Sequence, residues 1–173
     1  LIKLIGLLSL GLLPIVNNKE VSLQISPSIF GEHSYQELLT KAKNNEYKTL
    51  RKQLDVDLIE NFILEGYNLP EILEVNEGDI VLDCGAFNGN SSIFFSNKVK
   101  DSGEVFAFEP DPTTFIDLTE NIKDLSIKNI TCSNIGVGDL NSSLKFSTKG
   151  AASCIDPKGN VTVKIRTIDD IVK

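Results

Sequence analysis

The chain has 173 residues and a mass of 19.0 kDa, enough for one domain with a buried core. Apolar residues make up 41% and charged residues 24%, which excludes a disordered or fibrous protein. A net charge of -7 and a pI near 4.8, with the basic residues scattered, exclude a nucleic-acid backbone as partner, because phosphates need a basic face.

Leu1 to Val16 is strongly apolar, with Lys3 its single charge. A charge followed by an apolar run also fits a signal peptide or short anchor. The run is shorter than the roughly 20 residues of a spanning helix and is interrupted by Gly6, Gly11 and Pro14, so a packed N-terminal segment is the favoured expectation. Ser34 to Leu54 reads as a helix opened by a Ser34/Glu37 capping box, with Leu38, Leu39, Ala42, Leu50 and Leu54 on its apolar face. A second helix is expected over Val56 to Leu64, ending near Gly66 ahead of Pro70. Residues 1–70 therefore form a helical lead-in, and residues 71–173 form the domain that follows.

From Gly78 the pattern changes. Asp79 to Asp83 is a short apolar run of the kind a parallel strand buried on both faces shows. A glycine loop, Cys84 to Asn90, leads into a helix from about Ser91. Glu104 to Glu109 is a second buried strand, and Asp111 and Pro112 cap and open a helix that runs to about Leu125, with Phe115, Leu118 and Ile122 on one face. Asn129 to Ile135 is a third strand. Strand, helix, strand, helix, strand is one half of a doubly wound α/β sheet. Leu144 to Phe146 and Val161 to Ile165 are extended, and Thr167 to Asp170 reads as a capped helix start.

Cys84, Cys132 and Cys154 are an odd number without C-x-x-C spacing, each among apolar or small neighbours. That fits buried free thiols in a reducing compartment, the cytoplasm, better than disulfides or a metal site. Asn90-Ser91-Ser92 and Asn129-Ile130-Thr131 match a glycosylation sequon by chance, since a glycan on the first would block the glycine loop. The chain starts at Leu1 without any methionine and stops at Lys173 just inside a helix start, so a fragment is expected.

The stretch that carries chemistry is Asp83-Cys84-Gly85-Ala86-Phe87-Asn88-Gly89, at the carboxyl end of the first strand, where open α/β sheets bind ligands. Gly85 and Gly89 allow a tight turn and close approach of a ligand to bare backbone. The pattern is D-x-G-x-x-x-G, one glycine short of the pyrophosphate fingerprint G-x-G-x-x-G, and no P-loop lysine follows. An acid ahead of the glycines suits a cation. S-adenosylmethionine carries a sulfonium and an ammonium, and Asp83 can accept from its amino group. Glu109, 20 positions after Gly89, stands where an acid accepts the two ribose hydroxyls of an adenosine ligand.

The runs VLDCGAFNGNSS, VFAFEPDPTTF, NITCSNIGVGD and VKIRTIDDIV, over residues 78–173, resemble the FkbM family of methyltransferases. The resemblance implies a class I methyltransferase fold, Rossmann-like and here partial, S-adenosylmethionine as cofactor, and methyl transfer to a hydroxyl of a small molecule or glycan. It implies that Asp83, Gly85, Ala86 and Gly89, with Phe87 and Asn88 between them, form the first cofactor motif, that Glu109 is the ribose acid, and that Asn134, Ile135 and Asp139 flank the adenine. For the last three, strand-end and turn roles explain the residues equally well. Ala151-Ala152-Ser153 matches a small-residue segment of the family to which no mechanism attaches. The family's later acidic strand motif, D-x-E-G-x-E, has no match before Lys173, and His33 lies in a loop far upstream, so no catalytic residue is assigned.

Two readings compete with the methyltransferase: a non-catalytic S-adenosylmethionine-binding or scaffold module, and a nicotinamide-dependent oxidoreductase, which the missing glycine disfavours. Metal ligands are not expected. Without the strands that would cover the far side of the first strand, an uncovered sheet edge and self-association are expected.

Overall fold

A computed structural model of the chain describes residues 2–6, 40, 67, 74–150 and 152–172. The expected helices over 34–54 and 56–64, the boundary near residue 70 and His33 lie outside the described residues, apart from Thr40, which is helical.

Two sheets organise the described chain. The first is fully parallel: β1 (Ile2–Gly6), β2 (Ile80–Cys84), β3 (Glu104–Phe108) and β4 (Ile130–Ser133) lie in that order. The register runs from Ile80 opposite Glu104 to Cys84 opposite Phe108, and from Val105 opposite Ile130 to Phe108 opposite Ser133. Crossovers through α1 (Asn90–Val99) and α2 (Pro112–Asp124) make this the expected βαβαβ half of a Rossmann-like sheet.

The core explains the pattern. Val81 and Val105 are wholly buried on the face that receives Ile93, Phe95 and Val99 of α1 and Leu118 of α2. Leu82 and Phe108 alternate to the other face and are buried as well, as strands covered on both sides require. Tyr67, Phe94 and Phe95 pack ring against ring at 5.4 to 6.5 Å. At the carboxyl end of α1, Asn129 holds the chain with both ends of its amide. Its Oδ1 accepts from Ser96 Oγ at 2.6 Å, and its Nδ2 donates to the Ser96 and Lys100 carbonyls. A side chain so engaged offers no nitrogen for a glycan.

Three expectations need correction. The third strand does not run from Asn129 to Ile135. It ends at Ser133, where the Ile135 amide turns back onto the Ser133 carbonyl, and β5 (Gly136–Val137) joins the second sheet. A Cβ at Gly136 would lie 2.7 Å from the Cδ1 methyl of Ile165 and 3.4 Å from Pro110, so a larger residue there requires the Ile165 side chain to move. Second, the side of β2 expected to lie open is paired: β1 runs parallel to it in a register from Ile2 opposite Ile80 to Gly6 opposite Cys84. Third, the cysteines are free, but Cys84 and Cys132 are half-buried and Cys154 is exposed. Cys154 belongs to a two-residue strand that, among the described residues, lies at the edge of its sheet.

The second sheet has the order β5, β8 (Val161–Arg166), β6 (Ser142–Ser147), β7 (Cys154–Ile155), and it closes over Phe146, Val163 and Ile165. The turn of helix α3 (Ile168–Ile171) follows Thr167, whose side chain makes no cap bond. Asn141 supplies the contacts instead, accepting from the Thr167 amide at 3.0 Å and donating to Asp170. No helix among the described residues is long and apolar enough to cross a membrane.

Candidate functional site

The site lies at the carboxyl ends of β2 and β3, where two strand-to-helix loops face each other. In the first loop, Gly85 and Gly89 adopt φ of 90° and 97°, and Phe87 adopts 49°. A left-handed backbone at all three positions folds the chain back tightly. The Gly85 and Ala86 amides both donate to the Phe108 carbonyl, at 2.9 and 3.0 Å, which locks the loop to the end of β3. Asn121 of α2 donates to the Asn88 carbonyl at 3.0 Å. Gly89 also sits against α2, where a Cβ would come within 2.9 Å of Leu118.

Asp83 is buried at the end of β2. Ser91 and Ser92, in the first turn of α1, both donate to its Oδ2, at 2.8 and 2.5 Å. Asp83 thus anchors α1 as a turn residue would, yet both bonds fall on one oxygen, and Oδ1 accepts no hydrogen bond from the described residues. Burial pushes the Asp83 carboxyl above its usual range, and the two hydroxyls only partly offset this.

Glu109 follows β3 and is also buried. The Phe87 amide donates to its Oε2 at 2.9 Å and the Asp111 amide to its Oε1 at 2.8 Å. The first bond joins the two loops across 22 residues. Burial raises the Glu109 carboxyl, the two amides oppose the rise, and the charges of Asp111 and Asp83 add to it. Burial, with the Asp83 charge behind it, also pushes the Cys84 thiol up to about 11 and raises that of Cys132. Neither thiol is an activated nucleophile.

Asp111 caps α2 as expected, with Oδ1 accepting from the Thr113 and Thr114 amides at 2.9 and 3.3 Å. Its Oδ2 accepts from Ser153 Oγ at 2.9 Å, a contact between residues 42 apart. Asn134 donates to the Glu109 and Pro110 carbonyls at 2.8 and 3.3 Å.

The structure therefore brings Asp83, Gly85, Ala86, Phe87, Asn88, Gly89, Glu109 and Asn134 together. Half-buried Ile135 is next in the chain, and Asp139 is exposed beyond β5 with no bond to the cluster. Phe87 presents an exposed ring, 38% accessible, beside the loop. Ser153 was missed as a member of the site, because a link over 42 residues has no local spacing to betray it. Among the described residues no group of side chains could hold a metal ion.

No family model and no curated protein matches the chain. Solved structures similar to it are S-adenosylmethionine-dependent methyltransferases. One is fibrillarin from Aeropyrum pernix in complex with natively bound S-adenosyl-L-methionine, at 26% identity, TM-score 0.33, covering 44% of this chain and 29% of that one. Another is an S-adenosylmethionine-dependent O-methyltransferase from Thermotoga maritima, at 19% identity, TM-score 0.36, covering 56% of this chain and 33% of that one. A third is the methyltransferase FkbM from Methylobacillus flagellatus KT, at 19% identity, TM-score 0.40, covering 80% of this chain and 37% of that one. The chain spans about a third of the length of these structures.

Proposed function

We propose that this chain binds S-adenosylmethionine and forms the cofactor-binding part of a methyltransferase of the FkbM type. The observation that carries the reading is a pair of buried carboxylates, Asp83 and Glu109, with acceptor capacity left over at the carboxyl ends of adjacent parallel strands. Every hydrogen bond they accept from the described residues comes from a neutral hydroxyl or amide.

The fit follows from counting lone pairs. A carboxylate has about four acceptor sites. Glu109 uses one on each oxygen for backbone amides, so one on each remains for two vicinal hydroxyls of a ribose. Asp83 keeps Oδ1 for an ammonium, and the acidic wall completed by Asp111 suits a cation and repels a pyrophosphate. Gly85 lets the ligand lie against backbone, and Asn134 and Ile135 are the residues nearest the cluster for a base, with Asp139 standing apart from it. When bound, S-adenosylmethionine supplies a methyl group activated for in-line displacement. The residues of this chain bind and orient it and keep water from its charged end. That the acceptor is a hydroxyl of a small molecule or glycan rests on the motif resemblance, and the cytoplasm as its compartment on three unpaired thiols. No residue of the chain is assigned to activating the acceptor.

Calorimetric titration with S-adenosylhomocysteine tests the reading, run beside Asp83→Ala and with NADH as a control ligand. Saturable binding is expected, weakened at least about tenfold in the variant, as loss of a charge-assisted bond implies, with no response to NADH. A folded chain that ignores S-adenosylhomocysteine, or that binds NADH, overturns it.

A further inference from the structure

Three carboxylates, Asp83, Glu109 and Asp111, are buried at or just beyond the carboxyl ends of β2 and β3, and the charges of Asp111 and Asp83 add to the cost of charging Glu109. The Asp111 amide on Oε1 sets the direction in which Glu109 turns its remaining lone pairs. Whatever fixes Asp111 therefore fixes Glu109. The cap of α2 fixes one oxygen of Asp111, and the other faces the second sheet, where Ser153 meets it.

The Ser153 hydroxyl is itself preset. It accepts from the Lys149 amide at 2.8 Å, so its own proton is left to donate, and it donates to Asp111 Oδ2. The turn that carries it is closed by Ala152 and Ser153 amides on the Lys149 and Gly150 carbonyls. At its base, Asn160 clasps Thr148 twice, accepting from its amide at 3.1 Å and donating to its hydroxyl at 2.8 Å. The hairpin of the second sheet thus delivers one proton donor to the acid cluster of the first.

We infer that Ser153 is a positioning residue of the cofactor site, holding Asp111 so that the Asp111 amide orients Glu109 for the ribose. The inference rests on the S-adenosylmethionine reading for its ligand, but its structural half does not. It also gives Ser153, the last residue of the small-residue segment, a role through its bond to Asp111.

The test uses the whole chain as wild type, Ser153→Ala and Ser153→Thr, with two readouts. In ligand-free proton–nitrogen correlation spectra, the amide resonances of Asp111 and Phe87, the two donors to Glu109, are expected to move in Ser153→Ala and to return in Ser153→Thr. Those of Val163 and Ile165 in the second sheet stay in place, which a general loosening would not allow. In titrations with S-adenosylhomocysteine, Ser153→Ala is expected to bind about tenfold more weakly, the factor that one bond to a charged group makes, with Ser153→Thr restored. Unmoved Asp111 and Phe87 amides, wild-type affinity in the alanine variant, or no rescue by threonine overturns the inference. A wild-type chain that does not bind overturns the cofactor reading instead, and the spectra alone then decide the role of Ser153.

Discussion

Asp83 is a residue at which folding and binding pull in opposite directions. Its carboxylate is buried, the described residues offer it two neutral hydroxyls, and an uncompensated buried charge costs stability. The sign of the pH effect follows. Its pKa is raised in the folded state, so between the ordinary carboxylate value near 4 and the raised one the native protein holds a proton that the unfolded chain has lost. This contribution to stability is present at the acid end of that window and is lost as pH rises through the folded pKa. Asn in place of Asp83 can keep its oxygen on Ser91 and Ser92 and turn its amide toward the position to which no described residue donates. Asp83→Asn is therefore expected to raise the ligand-free melting temperature at pH 7 by about 2 to 4 °C, the shift that about 1 kcal/mol makes in a chain of this size. The gain should vanish near pH 4, and the variant should bind S-adenosylhomocysteine poorly. A melting temperature lowered at pH 7 would show that the charged form of Asp83 holds α1 in place. Asp83 and Glu109 were legible in the sequence because each stands at a strand end beside its loop. Asp111 was legible only as a cap, since its second oxygen is set by a distant turn.

At the scale of elements, the glycine loop joins α1 and α2 as well as shaping a ligand site. Gly89 begins α1 with φ of 97° and lies under Leu118 and Ile122 of α2. Gly89→Ala adds a strained left-handed alanine and a methyl 2.9 Å from Leu118, a wholly buried side chain. The two effects together are expected to cost about 2 to 4 kcal/mol, read as a lower urea midpoint with an unchanged slope. A loss well under 1 kcal/mol would mean that α2 gives way at little cost. β2, α1, β3 and α2 were readable to within a residue or two because their signals are local: apolar runs, Gly89 before α1, and Asp111-Pro112 before α2. The end of the third strand was not. It falls where the Ile135 amide bonds the Ser133 carbonyl and Gly136 pairs with Ile165 of β8, a partner distant in sequence. The cap of α3 escaped for the same reason, Asn141 standing in for Thr167.

The whole molecule depends on a contact that composition could not place. Ile2–Gly6 completes the parallel sheet from the far side of β2, and residues 7–79 separate the two strands. Closing so long a connection costs chain entropy, so β1 must repay it through five paired positions along β2. It also covers what would be a bare backbone edge next to Val81 and Leu82, both buried. Unpaired parallel edges with apolar faces invite pairing with other chains. Deleting residues 1–6 is therefore expected to lower the melting temperature and to make the mass from light scattering rise with protein concentration. The wild type should show a smaller rise or none under the same conditions. The α1 and α2 packing is local to residues 81–122 and should survive, so the far-ultraviolet circular dichroism should keep its helical signal. A deletion variant that stays monomeric and melts with the wild type would mean that β1 adds little, and that the edge of β2 is protected by something other than its partner strand.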